Sequence, residues 1–117
     1  MPPPPALIAL LTREQLPEGK PQVLLHPPDH LVVVRLGDEV FALDQRCSHA
    51  GASLVTGVVR GRTIECRAHG CRFDLATGAL TGASDSPPLR QRAWRVERRG
   101  DAWAVLDALV SADPGTA

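Results

Sequence analysis

Two short segments, Cys47-Ser48-His49 and Cys66-Arg67-Ala68-His69, each hold a cysteine and a histidine within a single turn, and sixteen residues, Ala50 to Glu65, separate them. No other feature constrains the fold as strongly. Each segment aims two donors from one tight loop, and Gly51 and Gly70 stand where the backbone must curl around a buried object. The two loops form a clamp only if the chain brings them side by side. Thiolate and neutral imidazole suit zinc, copper or iron, whereas hard cations take carboxylates.

The residues alone leave two occupants open for Cys47, His49, Cys66 and His69. One is a structural zinc ion, the other a two-iron cluster in which two imidazoles replace two thiolates on one iron. Spacing favours the cluster, because zinc fingers group like with like, as C-x₂₋₄-C and H-x₃₋₅-H, and here each loop mixes the two. Three cysteines are an odd number, which rules out a complete disulfide framework and points to a reducing compartment. The chain opens Met1-Pro2-Pro3-Pro4-Pro5 with no base before Arg13, unlike a secretory signal. Its apolar run Ala6 to Leu11 is far shorter than the ~20 residues of a membrane span. A cytoplasmic protein with no membrane partner is expected.

Thirteen bases balance thirteen acids, so bulk charge gives no reason to expect nucleic acid. The distribution is uneven: three bases and six acids in residues 1–45, ten and four in 46–99, none and three in 100–117. Arg46, Arg67 and Arg72 flank the Cys/His segments, and both solvated loop charge and contact with an acidic partner stay open for them. Aromatics make up only 3%, which leaves the core to aliphatic residues and disfavours a stacking platform for single-stranded nucleic acid.

From Ala6 onward, short apolar runs are cut by turn residues and no helical period is sustained, the pattern of an antiparallel all-β chain. Strands are expected at Leu7–Leu11, Gln22–His26, Leu31–Leu36, Val40–Asp44, Val55–Val59, Thr63–Glu65, Arg72–Asp74, Arg92–Arg98 and Trp103–Asp107. One helical turn is expected from Thr12, and Leu16-Pro17-Glu18-Gly19 reads as a turn. Gly37-Asp38 and Arg99-Gly100-Asp101 read as hairpin turns. Both Trp94 and Trp103 are expected in the core. His26-Pro27-Pro28-Asp29-His30 reads as a structural turn, and Asp74 as a residue that ties one. Residues 1–5 form a proline-rich extended leader, 6–110 a single domain, and 111–117 a tail.

The Cys/His segments and their surroundings resemble the Rieske iron–sulfur proteins. The resemblance extends through Cys47-Ser48-His49-Ala50-Gly51-Ala52-Ser53-Leu54, through Cys66 to Gly78, and to the hairpin Gly37 to Leu43 upstream. It implies a Rieske-type fold of stacked antiparallel sheets, three in number, with a small cluster-binding subdomain at the tip. The cluster-binding loops would lie at about 45–53 and 65–73, and Ser84 to Pro88, Pro87 included, would cover them. It further implies one [2Fe–2S] cluster, with Cys47 and Cys66 on the buried iron and His49 and His69 on the outer one. High-potential members of the family carry a disulfide at positions held here by Ala52 and Ala68, and Ser and Tyr donors where this chain has Cys71 and Phe73. Fewer hydrogen bonds to sulfur imply a low potential. Cys71 itself admits packing, a weak S–H donor role or direct ligation. Arg67 departs from the proline common after the second cysteine.

By the same resemblance the chain is expected to be a ferredoxin rather than an enzyme. It would be a monomeric one-electron carrier between a flavoprotein reductase and a terminal oxygenase, with aromatic-ring hydroxylation as the chemistry served. Its 117 residues leave no room for the large catalytic domain that follows the cluster domain in Rieske oxygenases. A small Rieske subunit of a larger enzyme, such as an assimilatory nitrite reductase, and a zinc-filled non-redox module are the alternatives.

Overall fold

The computed structural model describes residues 3–27, 30–46, 53–67, 71–81 and 91–110. Nine strands run in chain order: β1 Leu7–Thr12, β2 Gln22–Leu24, β3 Leu31–Leu36, β4 Glu39–Asp44, β5 Val58–Arg60, β6 Thr63–Glu65, β7 Arg72–Asp74, β8 Ala93–Arg99 and β9 Ala102–Leu109. The regular helical pieces among the described residues are two 3₁₀ turns, Arg13–Gln15 and Leu54–Thr56. No helix there is long and apolar enough to cross a membrane.

All strand pairings are antiparallel. The halves β1-β9-β8 and β4-β3-β2 join into one six-stranded sheet through a seam of only two pairs, Ala42 with Trp94 and Leu43 with Ala93. The third unit is the small sheet β5-β6-β7. The three expected layers are therefore present, two of them hydrogen-bonded to each other along one short edge.

The middle layer explains the run Leu31-Val32-Val33-Val34, which is buried throughout. A strand covered on both faces carries a continuous apolar run, while one covered on a single face alternates. Val32, Val34, Phe41 and Leu43 pack toward the small sheet, against Leu54, Ile64, Phe73 and Leu75. Leu31, Val33, Val40 and Ala42 pack the other way, against Leu16, Trp103 and Val105. Residues Gly37–Asp38, Gly61–Arg62 and Gly100–Asp101 close two-residue hairpin turns, each with its glycine at positive φ. The expected turn after Thr12 is the 3₁₀ turn Arg13–Gln15, where the Thr12 N–H donates to Gln15 Oε1 at 2.8 Å.

Three expectations are corrected. Val55–Val59 is not a strand: Ser53 Oγ accepts the Val55 N–H at 3.2 Å and caps a 3₁₀ turn over Leu54–Thr56, so pairing begins only at Val58. The second strand ends at Leu24 rather than His26, whose N–H donates to His30 Nδ1 at 3.0 Å instead of to a ladder. Trp103 is in the core, but Trp94 is only half-buried. A register shift between Trp94 and Val96 turns its ring toward the seam, where its Nε1–H donates to Asp44 Oδ1 at 2.9 Å.

Candidate metal centre

Of the four candidate donors, Cys66 lies within the described residues; Cys47, His49 and His69 lie outside them, as do Gly51, Gly70 and the expected covering loop with Pro87. What the structure gives is the base on which the three loops stand. The first loop leaves the end of β4 and returns at Ser53, which bridges Arg46. The Leu54 N–H donates to the Gln45 carbonyl at 2.7 Å, and Gln45 Nε2 donates to Ser53 Oγ at 2.6 Å, closing the neck. The second loop extends the β6–β7 hairpin, where the Cys66 N–H donates to the Cys71 carbonyl at 2.8 Å. The third loop leaves at Thr81, whose N–H donates to the Arg72 carbonyl at 2.8 Å, and returns at Gln91.

These three necks meet at one end of the molecule. Val58 pairs with Glu65, and Glu65 with Arg72, so the chain leaving the first loop runs beside the β6 arm of the second, with the β7 arm on the other side of β6. Arg67 Nε donates to the Thr56 carbonyl at 2.6 Å and ties the second loop to the 3₁₀ turn that ends the first. Gln91, 1% exposed, donates from its side-chain amide to the Asp44 carbonyl at 2.8 Å and to the Arg46 carbonyl, and from its backbone to the Gly78 carbonyl at 2.8 Å. The third loop is thus anchored on the entrance to the first. Asp44 completes the anchor, its carboxylate accepting from Arg92 Nε at 2.6 Å as well as from Trp94.

Cys66 is fully buried, and the cluster of side chains around it includes Leu54, Ile64, Cys71 and Phe73. A thiolate bound to iron is well suited by such a dry, apolar floor. Phe73 presents a ring with no hydroxyl to it, and Cys71 is 2% exposed. Arg46, Arg67 and Arg72 are exposed on the rim of the necks. Asp74 ties a turn as expected, Oδ1 accepting the N–H groups of Ala76 and Thr77 at 2.8 and 3.0 Å. The His26 ring meets the Trp94 ring edge-on, with centroids 6.0 Å apart, so the His26–His30 segment is structural. Sequence reasoning missed Gln91 and Asp44, since an amide and a carboxylate that act across more than forty residues leave no local pattern.

A buried thiol at the foot of one Cys/His loop, with the neck of the other beside it, fits a two-iron cluster of mixed ligation. Residues 6–93 match the Rieske [2Fe-2S] domain. The chain belongs to the Rieske family. The chain is 34% identical over 77 residues to the ferredoxin subunit of anthranilate 1,2-dioxygenase from Burkholderia cepacia, a match covering 66% of this chain and 71% of that one. Methylxanthine N1-demethylase of Pseudomonas putida is 36% identical over 86 residues, 68% of this Rieske chain but only 24% of the demethylase. Among solved structures, the ferredoxin of carbazole 1,9a-dioxygenase from Nocardioides aromaticivorans IC177 superposes with a TM-score of 0.72 at 38% identity, covering 89% of this chain and 98% of the other.

Proposed function

We propose that this Rieske protein is a ferredoxin, a one-electron carrier that takes electrons from a flavoprotein reductase and delivers them to a terminal oxygenase that hydroxylates aromatic rings. It works in the cytoplasm as a monomer with one cluster held by a single domain, residues 6–110. The observation that carries the reading is the similarity over nearly the whole length of a dioxygenase ferredoxin. The ferredoxin subunit of anthranilate dioxygenase supports the same role.

A bound Rieske [2Fe–2S] cluster supplies reversible one-electron chemistry. Cys47 and Cys66 would hold its inner iron and His49 and His69 its outer one, with Gly51 and Gly70 giving the two loops the freedom to curl. Two thiolates and two neutral imidazoles balance the 2+ charge of the oxidised core, so accepting an electron costs less than with four thiolates. Cys66 does its part from an apolar floor, where Phe73 offers no hydroxyl and Cys71 at most a weak S–H donor, and this holds the potential at the low end of the Rieske range.

The test is an absorption spectrum of the purified protein with a low-temperature electron paramagnetic resonance spectrum after dithionite reduction. A red-brown protein whose average g value falls clearly below that of all-cysteine clusters is the expected result. A colourless protein with stoichiometric zinc after anaerobic preparation would overturn the proposal.

A further inference from the structure

The described arginines divide into two sets. Among the described residues, Arg13 and Arg98 pair with Asp38, Arg35 with Glu18, Arg60 with Glu65, Arg62 with Glu39, Arg92 with Asp44, and Arg95 and Arg99 with Glu97. Arg46, Arg67 and Arg72 pair with no described carboxylate, and all three are exposed. These three stand together at the necks of the candidate metal loops. The backbone of Arg46 bridges Ser53, that of Arg72 lies in register with Glu65 on β6, whose carboxylate meets Arg60, and accepts the Thr81 N–H, and Arg67 reaches the Thr56 carbonyl. The described acids in no described ion pair are Glu14 and Asp101, lining one depression at the far end of β8 and β9, Asp107 on β9, and Asp74, whose carboxylate is taken up by its own turn.

Elsewhere the eight described arginines share six carboxylates, Asp38 and Glu97 each serving two, which offsets most of their field within a Debye length of ~8–10 Å. Among the described arginines, the three that meet no described carboxylate are gathered at the loop end. Because the whole chain has a formal net charge of +0, this local charge rather than the total decides how the molecule meets a charged surface. We infer that the loop end is a docking face for a protein partner whose own docking face is acidic, with Arg46, Arg67 and Arg72 as the steering charges. The inference rests on the ferredoxin reading, since it places docking at the end that carries the cluster. It adds the sign of the partner's surface.

Two readouts test it, both on the cluster-loaded protein. The first is retention on immobilised poly-L-glutamate at low salt. Wild type is retained, and R46E/R72E elutes early, whereas R95E/R99E, which removes the same charge from further along β8, is retained like wild type. Arg67 is spared in these variants because it also holds the Thr56 carbonyl. The second readout is stopped-flow oxidation of the dithionite-reduced protein, one electron passing to ferricyanide or to tris(phenanthroline)cobalt(III). With ferricyanide the wild-type rate falls as ionic strength rises; with the cobalt cation it increases. R46E/R72E slows the ferricyanide reaction on the order of tenfold at low salt. Equal retention of both double variants, or the same salt slope with both reagents, overturns the inference while leaving the ferredoxin reading intact. A loaded protein that dithionite cannot reduce overturns the ferredoxin reading, and the inference with it.

Discussion

Gly78 is the residue on which the architecture of the loop end depends most narrowly. It sits at φ 78°, and a Cβ there would fall 1.9 Å from the Gln91 carbonyl oxygen, a backbone atom with nowhere to move. Gly37 has nearly the same φ, 64°, with open space around it. Left-handed backbone costs about 1–2 kcal/mol for a residue with a Cβ, so Gly37→Ala should lose about that much in urea unfolding. Gly78→Ala should lose clearly more, because the third loop must shift off the first. Gln91 is the other half of this contact. Gln91→Leu leaves the Asp44 and Arg46 carbonyls without their buried donor, and the expected loss is about 2–6 kcal/mol at ~1–3 per unsatisfied group. Unfolding curves that match wild type would show that water replaces the amide. Phe73 offers a redox test as well: a hydroxyl introduced by Phe73→Tyr on the floor beside Cys66 should raise the midpoint potential in a potentiometric titration. The candidate ligands stand out in the sequence because their chemistry and spacing are local, and of the four the structure describes Cys66, on its buried floor. Gln91 does not stand out, because its partners at residues 44, 46 and 78 are set by topology.

At the level of elements, the strands were largely legible because hydrophobic runs and glycine turns record local geometry. The alternation of Val40, Phe41, Ala42 and Leu43 between two buried faces is an example, since both faces of β4 are covered and the run reads as unbroken. The turn at Leu54–Thr56 was hidden, because Val55 and Val59 look like strand residues and only the Ser53 cap decides otherwise. The seam between β4 and β8 was equally invisible, resting on two residue pairs and on Asp44. The tip of the β3–β4 hairpin carries the electrostatics that can be titrated. Hydrogen bonding to Arg13, with the nearby charge of Arg98, holds the Asp38 carboxyl below its ordinary 3.8, and the hydrogen bond from Arg62 holds Glu39 below 4.5. Both native values are lowered, so their contribution to stability is present above the ordinary values and is lost as pH falls through the lowered ones. An Asp38→Asn/Glu39→Gln variant should therefore melt below wild type at neutral pH and low salt, and the gap should narrow as pH falls below the ordinary carboxylate values. The gap should also shrink in concentrated salt, because these groups are exposed.

For the whole molecule, the three layers differ in how much holds them together without iron. The six-stranded sheet contains β3, buried along its apolar run, and the long strands β8 and β9. The small sheet has three strands of three residues each, and two of the three loop necks issue from it. Three short strands are marginal on their own, so this layer relies on packing against Val32, Val34, Phe41 and Leu43 and on whatever ties Cys66 to the other ligands. In the proposed ferredoxin that tie is the cluster, and ligand binding stabilises the part of the structure that forms the site. Removing the iron with a chelator under reducing conditions should therefore act unevenly. Amide hydrogens of β5, β6 and β7 should lose protection first, while those of β3, β4 and β9 keep most of theirs, a difference that hydrogen exchange reads strand by strand. Uniform loss across both sheets would mean that the layers unfold as one cooperative unit. Unchanged protection in the small sheet would mean that its apolar contacts with the middle layer suffice, and that the cluster is bound by a base already formed.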